Sequence, residues 1–554
     1  MGLLAIAWKG YIWGMKKIIL ISFYLVVINL CDAQVTFEKN YYFDGYEAYN
    51  ISPAILNTSD SGYTMVSFSG DSNASNNFLI SITRLNKQGK VLWNKNSDPY
   101  TIHSDAGLGQ IVQYTDSSLV LLWNDQAARR YRVGFVHVDK NGNVIWGRKY
   151  ITPTNLNYVY MNSIARTNDN GLIGWGNLAD FSGALEFRFL LKTDSSGNVQ
   201  WCKQYFPDSI RAYTTLSTTT RITLTPDSGF LLTLAAVDSI SGDGYGYLVK
   251  TNATGDIQWA KRYNPNLCVP IFDKPQISKG SIYLAMVYNS FTNFDVMKTT
   301  MQGIPIWSFT YTGSDINYTY DNVTDGKGNT FLSGITNDTL GFIFKIDSLG
   351  NVLWSHKYGK YDSCVLSNLL LTLDGGILGY GWGSPYYKVN ASQSLVNLVK
   401  ADALGQDGCE QPFSVTKSAV PLVWESVGIK VYPIAMTQLD TILNFHDAPI
   451  DTITECFGLT TGVNNGVNRE DVKVFPNPSS GIFTISLSNA EAKTKIEVYN
   501  VLGENVFTET LPPQTSKGAL NEINLTGKPN GIYLSRVLNA DGSLLGSGKV
   551  VIAK

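Results

Sequence analysis

Apolar and polar positions alternate with a short period along most of the chain. The alternation is broken at regular intervals by a polar turn and a glycine. The recurring unit is an apolar strand, a turn rich in Asp, Asn and Ser, a Gly, three residues and a Trp, with a Tyr four residues further on. Its copies are LNKQGKVLW ending at Trp93, VDKNGNVIWGRKY at Trp146, TDSSGNVQWCKQY at Trp201, TNATGDIQWAKRY at Trp259, TTMQGIPIWSFTY at Trp307 and IDSLGNVLWSHKY at Trp354. Only the first lacks the Tyr. The Trp-to-Trp spacings of 53, 55, 58, 48 and 47 residues fall in or near the range of a β-propeller blade, and no helical period intervenes.

The residue types have a physical reason. Asp, Asn, Ser and Gly tolerate the left-handed and side-chain-capped geometries of tight hairpins. A Trp at a fixed offset from such a turn projects the same way in every copy, and each buried ring removes about 150–250 Å² from water. A second turn recurs upstream, in SDSGYTMVSF, NDNGLIGWG, PDSGFLLTL and LDGGILGYG, so each repeat supplies about four short strands. A seventh copy, LVKADALGQDGC, has Cys409 where Trp is due. Phe37 to Tyr41, FEKNY, has the missing aromatic-x-x-x-Tyr spacing. The pattern therefore predicts a seven-bladed propeller over 34–409, with the N-terminal strand completing the last blade.

Residues 410–471 lose the repeat but keep strand-like runs such as PLVWESVGIKVY. They are expected to form a small β appendage and then a polar linker from about Leu459. From Val472 the alternation returns in VKVFPNPSSGIFTISL, KIEVYNVLGENVF and NGIYLSRVLNADGSLLGSGKVVIAK. Six or seven short strands in about 80 residues predict a small immunoglobulin-like β-sandwich.

Composition narrows the function classes. Charged residues make up 16% of the chain and the net charge is −2, which gives no electrostatic case for nucleic acid or an anionic membrane surface. Lys16 and Lys17, an apolar run from Ile18 to Leu30, and Cys31-Asp32-Ala33 read as a signal peptide over 1–33, with Met15 as an alternative start. The run is too short for a transmembrane segment. Cys31 as a lipoprotein cysteine is a competing reading, disfavoured by the bulky Leu30. After cleavage Cys202, Cys268, Cys364, Cys409 and Cys456 remain. Cys409 and Cys456 bracket one segment, and bridging them would stabilise by about 4 kcal/mol. No cysteine spacing matches a zinc site.

The C-terminal motifs VFPNPSSGIF, VYNVLGENV, NGIYLSRV and KVVIAK, in that order, resemble the type A C-terminal sorting domain of the type IX secretion system of Bacteroidetes. The resemblance covers 472–554. It implies that Pro476, Asn477, Pro478, Gly481, Gly531, Tyr533 and the tail from Lys549 to Lys554 belong to a sorting signal. It also implies the type IX secretion machinery as partner and passage through the periplasm to the outer surface or medium. Removal of the domain, then release or attachment to surface lipopolysaccharide, would follow. The propeller repeats look like those of many secreted Bacteroidetes proteins, and Gly-x-x-x-Trp is similar to the docking element of quinoprotein-type propellers.

Candidate chemistry is sparse. His103, His137, His356 and His446 are scattered over different repeats, and no H-E-x-x-H, G-x-S-x-G or phosphate loop occurs. No catalytic, cofactor or metal residue is assigned. Asp180, Glu186, Asp194, Asp227 and Asp374 are available carboxylates, but the last three sit in turn sequences that explain an Asp by geometry. Asp325 to Asn329, DGKGN, reads as a hairpin turn rather than a calcium loop. Tyr158, Tyr160, Tyr318 and Tyr320 lie among Asn-rich segments, and aromatic platforms with amides suit sugars or extended peptides. The expectation is an exported propeller that binds a glycan or a protein without catalysis. The alternative is a secreted propeller enzyme, a glycoside hydrolase or lyase or a quinoprotein-like oxidoreductase, which requires carboxylates or a cofactor site converging at the channel.

Overall fold

A computed structural model describes residues 34–460 and 473–554, apart from 44–52, 71–76, 99, 102–109, 115–116, 128–129, 153–157, 180–185, 208–220, 238–243, 265–270, 288–292, 314, 360–363, 384–394, 442, 488–493, 501–503, 512–518 and 539–543. The expected signal peptide, Cys31, Cys268, His103 and Asp180 lie outside the described residues. The chain divides into two compact units, Met1–Thr461 and Gly462–Lys554. All regular structure among the described residues is β-strand.

The first unit holds seven antiparallel sheets of five or six strands. The third sheet is representative, with strands Tyr158–Arg166, Leu172–Ala179, Glu186–Thr193 and Val199–Pro207 side by side in chain order. Its second strand, LIGWGNLA, is buried along its whole length, whereas its fourth buries only alternate stretches. That is the gradient of a propeller blade, whose inner strands face neighbouring sheets on both sides. In the seventh sheet, Gln34–Phe43 pairs antiparallel with Leu395–Ala401, Phe37 opposite Lys400 and Tyr41 opposite Val396. The chain's first described strand thus completes the last sheet.

The Gly-x-x-x-Trp-x-x-x-Tyr unit explains how neighbouring sheets dock. In the third sheet Tyr205 donates its hydroxyl to the carbonyl of Gly255, in the next sheet, at 2.6 Å. A Cβ on Gly255, whose φ is +80°, would stand 2.8 Å from that hydroxyl and 2.9 Å from the Trp201 ring. Only glycine fits there, because the turn needs a left-handed backbone and the ring needs the space. The same bond joins Tyr150 to Gly197, Tyr263 to Gly303, Tyr311 to Gly350 and Tyr358 to Gly405. Trp93, Trp146, Trp201, Trp259, Trp307 and Trp354 each pack, half-buried, against an inter-sheet apolar cluster. Phe37 and Tyr41 meet Gly89 of the first sheet, with Tyr41 bonded to its carbonyl at 2.6 Å. The seventh sheet therefore docks on the first by the contact that joins the others, and the ring closes.

The segment expected as an appendage forms no sheet of its own. Its strands pair with the outer strands of all seven sheets in reverse order. Gln411–Pro412 adds to the sixth, Thr416–Ala419 to the fifth, Val423–Ser426 to the fourth and Ile429–Pro433 to the third. Thr437–Asp440 adds to the second, Phe445–Asp447 to the first and Ile450–Thr460 to the seventh. The segment is a belt around the propeller, capping edges that would otherwise offer unpaired backbone groups. Between its strands it sends apolar residues into the gaps between sheets: Phe413, Leu422, Val427, Met436 and Leu443, and Ile450 does the same at the start of its last strand. Cys409, just before the belt, and Cys456, within its last strand, form a disulfide, so the belt is a covalently closed hoop. Cys202 and Cys364 are buried free thiols.

The second unit is a sandwich of two sheets. Lys473–Phe475, Ile482–Leu487 and Ala519–Asn524 form one, and Asn505–Leu511, Thr494–Asn500, Gly531–Leu538 and Leu544–Ile552 form the other. Phe483, Ile485, Ile496, Val498, Ile523 and Val537 fill the space between them, as the alternation of apolar positions requires.

Candidate functional site

The first strands of the seven sheets line a cavity of about 750 Å³ on the propeller axis, within the range of ligand pockets. Its chemistry follows from register. Counting back four residues from the residue that opens each sheet's first hairpin turn (Thr225 in the fourth sheet, Asp325 in the sixth) gives Gln110, Ser163, Arg221, Lys274, Asp321 and Asn368, with Ala54 in the first sheet. These residues lie at one height and make a polar ring, charged along the arc from the fourth to the sixth sheet. Two positions nearer the turn the lining includes Leu56, Val112, Ala165, Val323 and Leu370, an apolar floor. Tyr320, Tyr380 and Trp382 add aromatic surface.

The charged arc is held by bonds between sheets. The Asn322 amide donates to Asp273 Oδ2 at 2.9 Å and to Asp321 Oδ1 at 2.9 Å. The Leu369 amide donates to Asp321 Oδ2 at 2.7 Å, and Arg221 Nε stands 3.6 Å from Asp273 Oδ1. Asp273 is buried; Asp321 is packed round by protein but stays partly open to the cavity. Desolvation first, then the charge and hydrogen bond of Asp273, raise the Asp321 carboxyl well above its ordinary range. Burial lowers the Lys274 ammonium, against the pull of Asp321.

The residues singled out from sequence mostly do other work. Asp194 accepts the amides of Ser196 and Asn198 and the Asn198 side chain, closing its own turn. Asp227 is held down to about 2 by the Thr225 hydroxyl and then by Lys250. Asp374 bonds Thr372, the Gly376 amide and Lys400 in the same way. Asp325 closes a hairpin through the amides of Lys327 and Asn329. Glu186 begins a strand of the third sheet. His137 bonds Ser118 and stacks on Tyr114, His356 stacks on Trp354 and bonds the Gly405 carbonyl, and His446 pairs with Asp98 on the surface. Tyr160 is buried, and Tyr318 stacks on Tyr320. Among the described residues no group of three or more His, Cys, Asp or Glu is arranged to hold a metal. Sequence reasoning missed Asp273, Asp321, Arg221 and Lys274. The signal was present as a fixed offset from the hairpin turn.

In the second unit the motifs expected to carry the sorting signal come together. Asn477, flanked by the cis peptides of Pro476 and Pro478, donates to the Lys549 carbonyl and accepts from the Val551 amide, both at 2.8 Å. A Cβ on Gly481, whose φ is +113°, would meet the Thr526 backbone at 2.8 Å. Gly531 opens the strand that carries Tyr533, whose hydroxyl bonds the Pro529 carbonyl at 2.8 Å. The Lys554 ammonium binds the carbonyls of Thr526 and Lys528, and its amide bonds Asn530.

These two units define a class: an all-β propeller with a β-sandwich targeting module at its C-terminus. Residues 473–553 match the family of secretion system C-terminal sorting domains, and the module is a type IX secretion sorting signal, which implies export to the cell surface or secretion. No curated protein sequence matches the chain. Among solved structures the chain is similar to PorZ, a surface component of the type IX secretion system of Porphyromonas gingivalis, at 10% identity and TM-score 0.31, covering 93% of this chain and 75% of that one. It is also similar to the NanB sialidase of Streptococcus pneumoniae, at 10% identity and TM-score 0.35, covering 65% and 70%. The WD40 domain of Toxoplasma gondii coronin matches at 10% identity and TM-score 0.37, covering 69% and 90%. No helix among the described residues is long and apolar enough to cross a membrane.

Proposed function

We propose that this is an exported binding protein, delivered through the periplasm by the type IX machinery. It would present its propeller outside the cell, free or attached to surface lipopolysaccharide, for adhesion or capture of a glycan or protein. The observation that carries the binding reading is the axial cavity, with its polar ring above an apolar floor and aromatic rings in the wall. The export half is tested by fractionating the native host with and without the secretion machinery, detecting propeller and sorting domain separately. Propeller outside the cell without residues 472–554 is the expected result; full-length chain held in the periplasm of normal cells would refute it. The binding half is tested by screening the purified chain against glycans and surface proteins.

A hydrolase is the second reading, favoured by one observation, the Asp321 carboxyl that lines the cavity with its proton affinity raised by burial and by Asp273. Against it, Asp273 lies close enough to share a hydrogen bond. Glycosidase carboxylates stand about 5 Å or more apart. Turnover of an oligosaccharide, lost in Asp321→Asn, would establish catalysis.

A further inference from the structure

We propose that the axial cavity takes an acidic saccharide, seating its carboxylate against Lys274 and Arg221; this rests on the binding reading above. Three cationic residues, Arg166, Arg221 and Lys274, line the cavity against one carboxyl, Asp321. Asp273, behind the wall, stands 3.6 Å from Arg221 and also faces Lys274. Arg166 bonds neutral groups, the Gln113 carbonyl and the Asn170 side chain. Cationic groups therefore outnumber carboxyls three to two around the cavity, in a place where desolvation makes charge expensive, and an anionic ligand relieves the excess.

A second observation points to a ligand at the same arc. Asn322 occupies the position that is Ile55, Ile111, Ile164, Ile222 and Leu369 in other sheets. It lines the cavity, is 1% exposed, and neither its side-chain nitrogen nor its oxygen has a hydrogen-bond partner. A buried amide left unpaired is costly relative to a satisfied one. An apolar residue would serve packing better there, as it does in five sheets. The ligand's oxyanion meets the cations, its hydroxyls meet Asn322, Gln110 and Asn368, and Trp382 offers a flat face for a sugar ring.

The test is titration calorimetry of the full chain with trigalacturonate and with galactotriose, which differ in the carboxylates. The variants are Lys274→Gln and, as a surface control, Lys140→Gln. Lys274 makes no side-chain hydrogen bond among the described residues, so its variant should keep the wild-type unfolding midpoint. The expected result is that trigalacturonate binds at least about tenfold more tightly than galactotriose. Lys274→Gln should remove most of that difference, and Lys140→Gln should leave it intact. Equal binding of the two sugars, or an acid preference unchanged in Lys274→Gln, overturns the proposal while leaving the binding reading standing. Binding of neither also overturns it; the binding reading falls only if the broader screen is blank as well.

Discussion

Opening the Cys409–Cys456 bridge is the perturbation that asks most of this structure. The cysteines are 47 residues apart, so the loop-entropy relation assigns the cross-link about 4 kcal/mol. The hoop adds a spatial reason for a large effect, since the bridged segment pairs with every sheet and, on all but the seventh, through a short strand. Its strand on the sixth sheet is two residues long and exposed; its strand on the seventh runs from Ile450 to Thr460 and is ten pairs deep against Gln34–Phe43. A cut hoop should peel from the Gln411 end first. Guanidinium unfolding of the Cys409→Ser, Cys456→Ser double variant, followed by tryptophan fluorescence, should show a loss of about 3–4 kcal/mol. Hydrogen exchange should speed up earliest over residues 411–419. Mild reductant should reproduce both effects, because burial pushes the Cys202 and Cys364 thiols up and keeps them inert. An unchanged midpoint with unchanged exchange over 411–419 would refute the claim that the bridge tensions the belt.

Three further outcomes follow. Tyr205→Phe should cost about 1 kcal/mol by removing the bond to Gly255. Gly255→Ala should cost more, since it strains a positive φ and meets the ring of Trp201; equal effects in thermal denaturation would contradict the docking account. Burial, then the neighbouring Glu38, push the Asp407 carboxyl up to about 9. A raised carboxyl contributes stability that is fully present below about pH 4 and is lost as pH climbs towards 9, at no more than about 1.4 kcal/mol per pH unit. Denaturation of Asp407→Asn between pH 5 and 9 should therefore show a flatter profile than the wild type; a parallel profile would count against it. Asn477→Ala should speed hydrogen exchange at 549–553, because both of its bonds to the tail are lost, and exchange as slow as in the wild type would show that the tail is held otherwise.

The propeller and its docking elements were legible because each copy of Gly, Trp and Tyr makes the same contact, so chemistry and spacing repeat together. The belt was not. Its strands are two to five residues long until the last, they pair along one edge only, and most of their side chains are exposed, so no alternation marks them. A search by residue type found turn carboxylates such as Asp194, Asp227 and Asp374 and passed over Asp273 and Asp321. What separates the two groups is register against the hairpin, because the lining position falls at a constant distance before the turn. Asn322 stands out only when set beside the Ile and Leu that share its place in other sheets.

The strand Gln34–Phe43 lies between Leu395–Ala401 on one side and Ile450–Thr460 on the other. Its two partners are separated from it by more than three hundred residues of chain, and one of them is the end of the hoop. A polypeptide delivered N-terminus first thus holds its keystone from the start and can set it only when nearly everything else has arrived. Until then Phe37 and Tyr41 can meet only Gly89, and the first and last sheets face each other across an open seam. Closing the ring is thus the least local step of the fold, because it pairs strands more than three hundred residues apart.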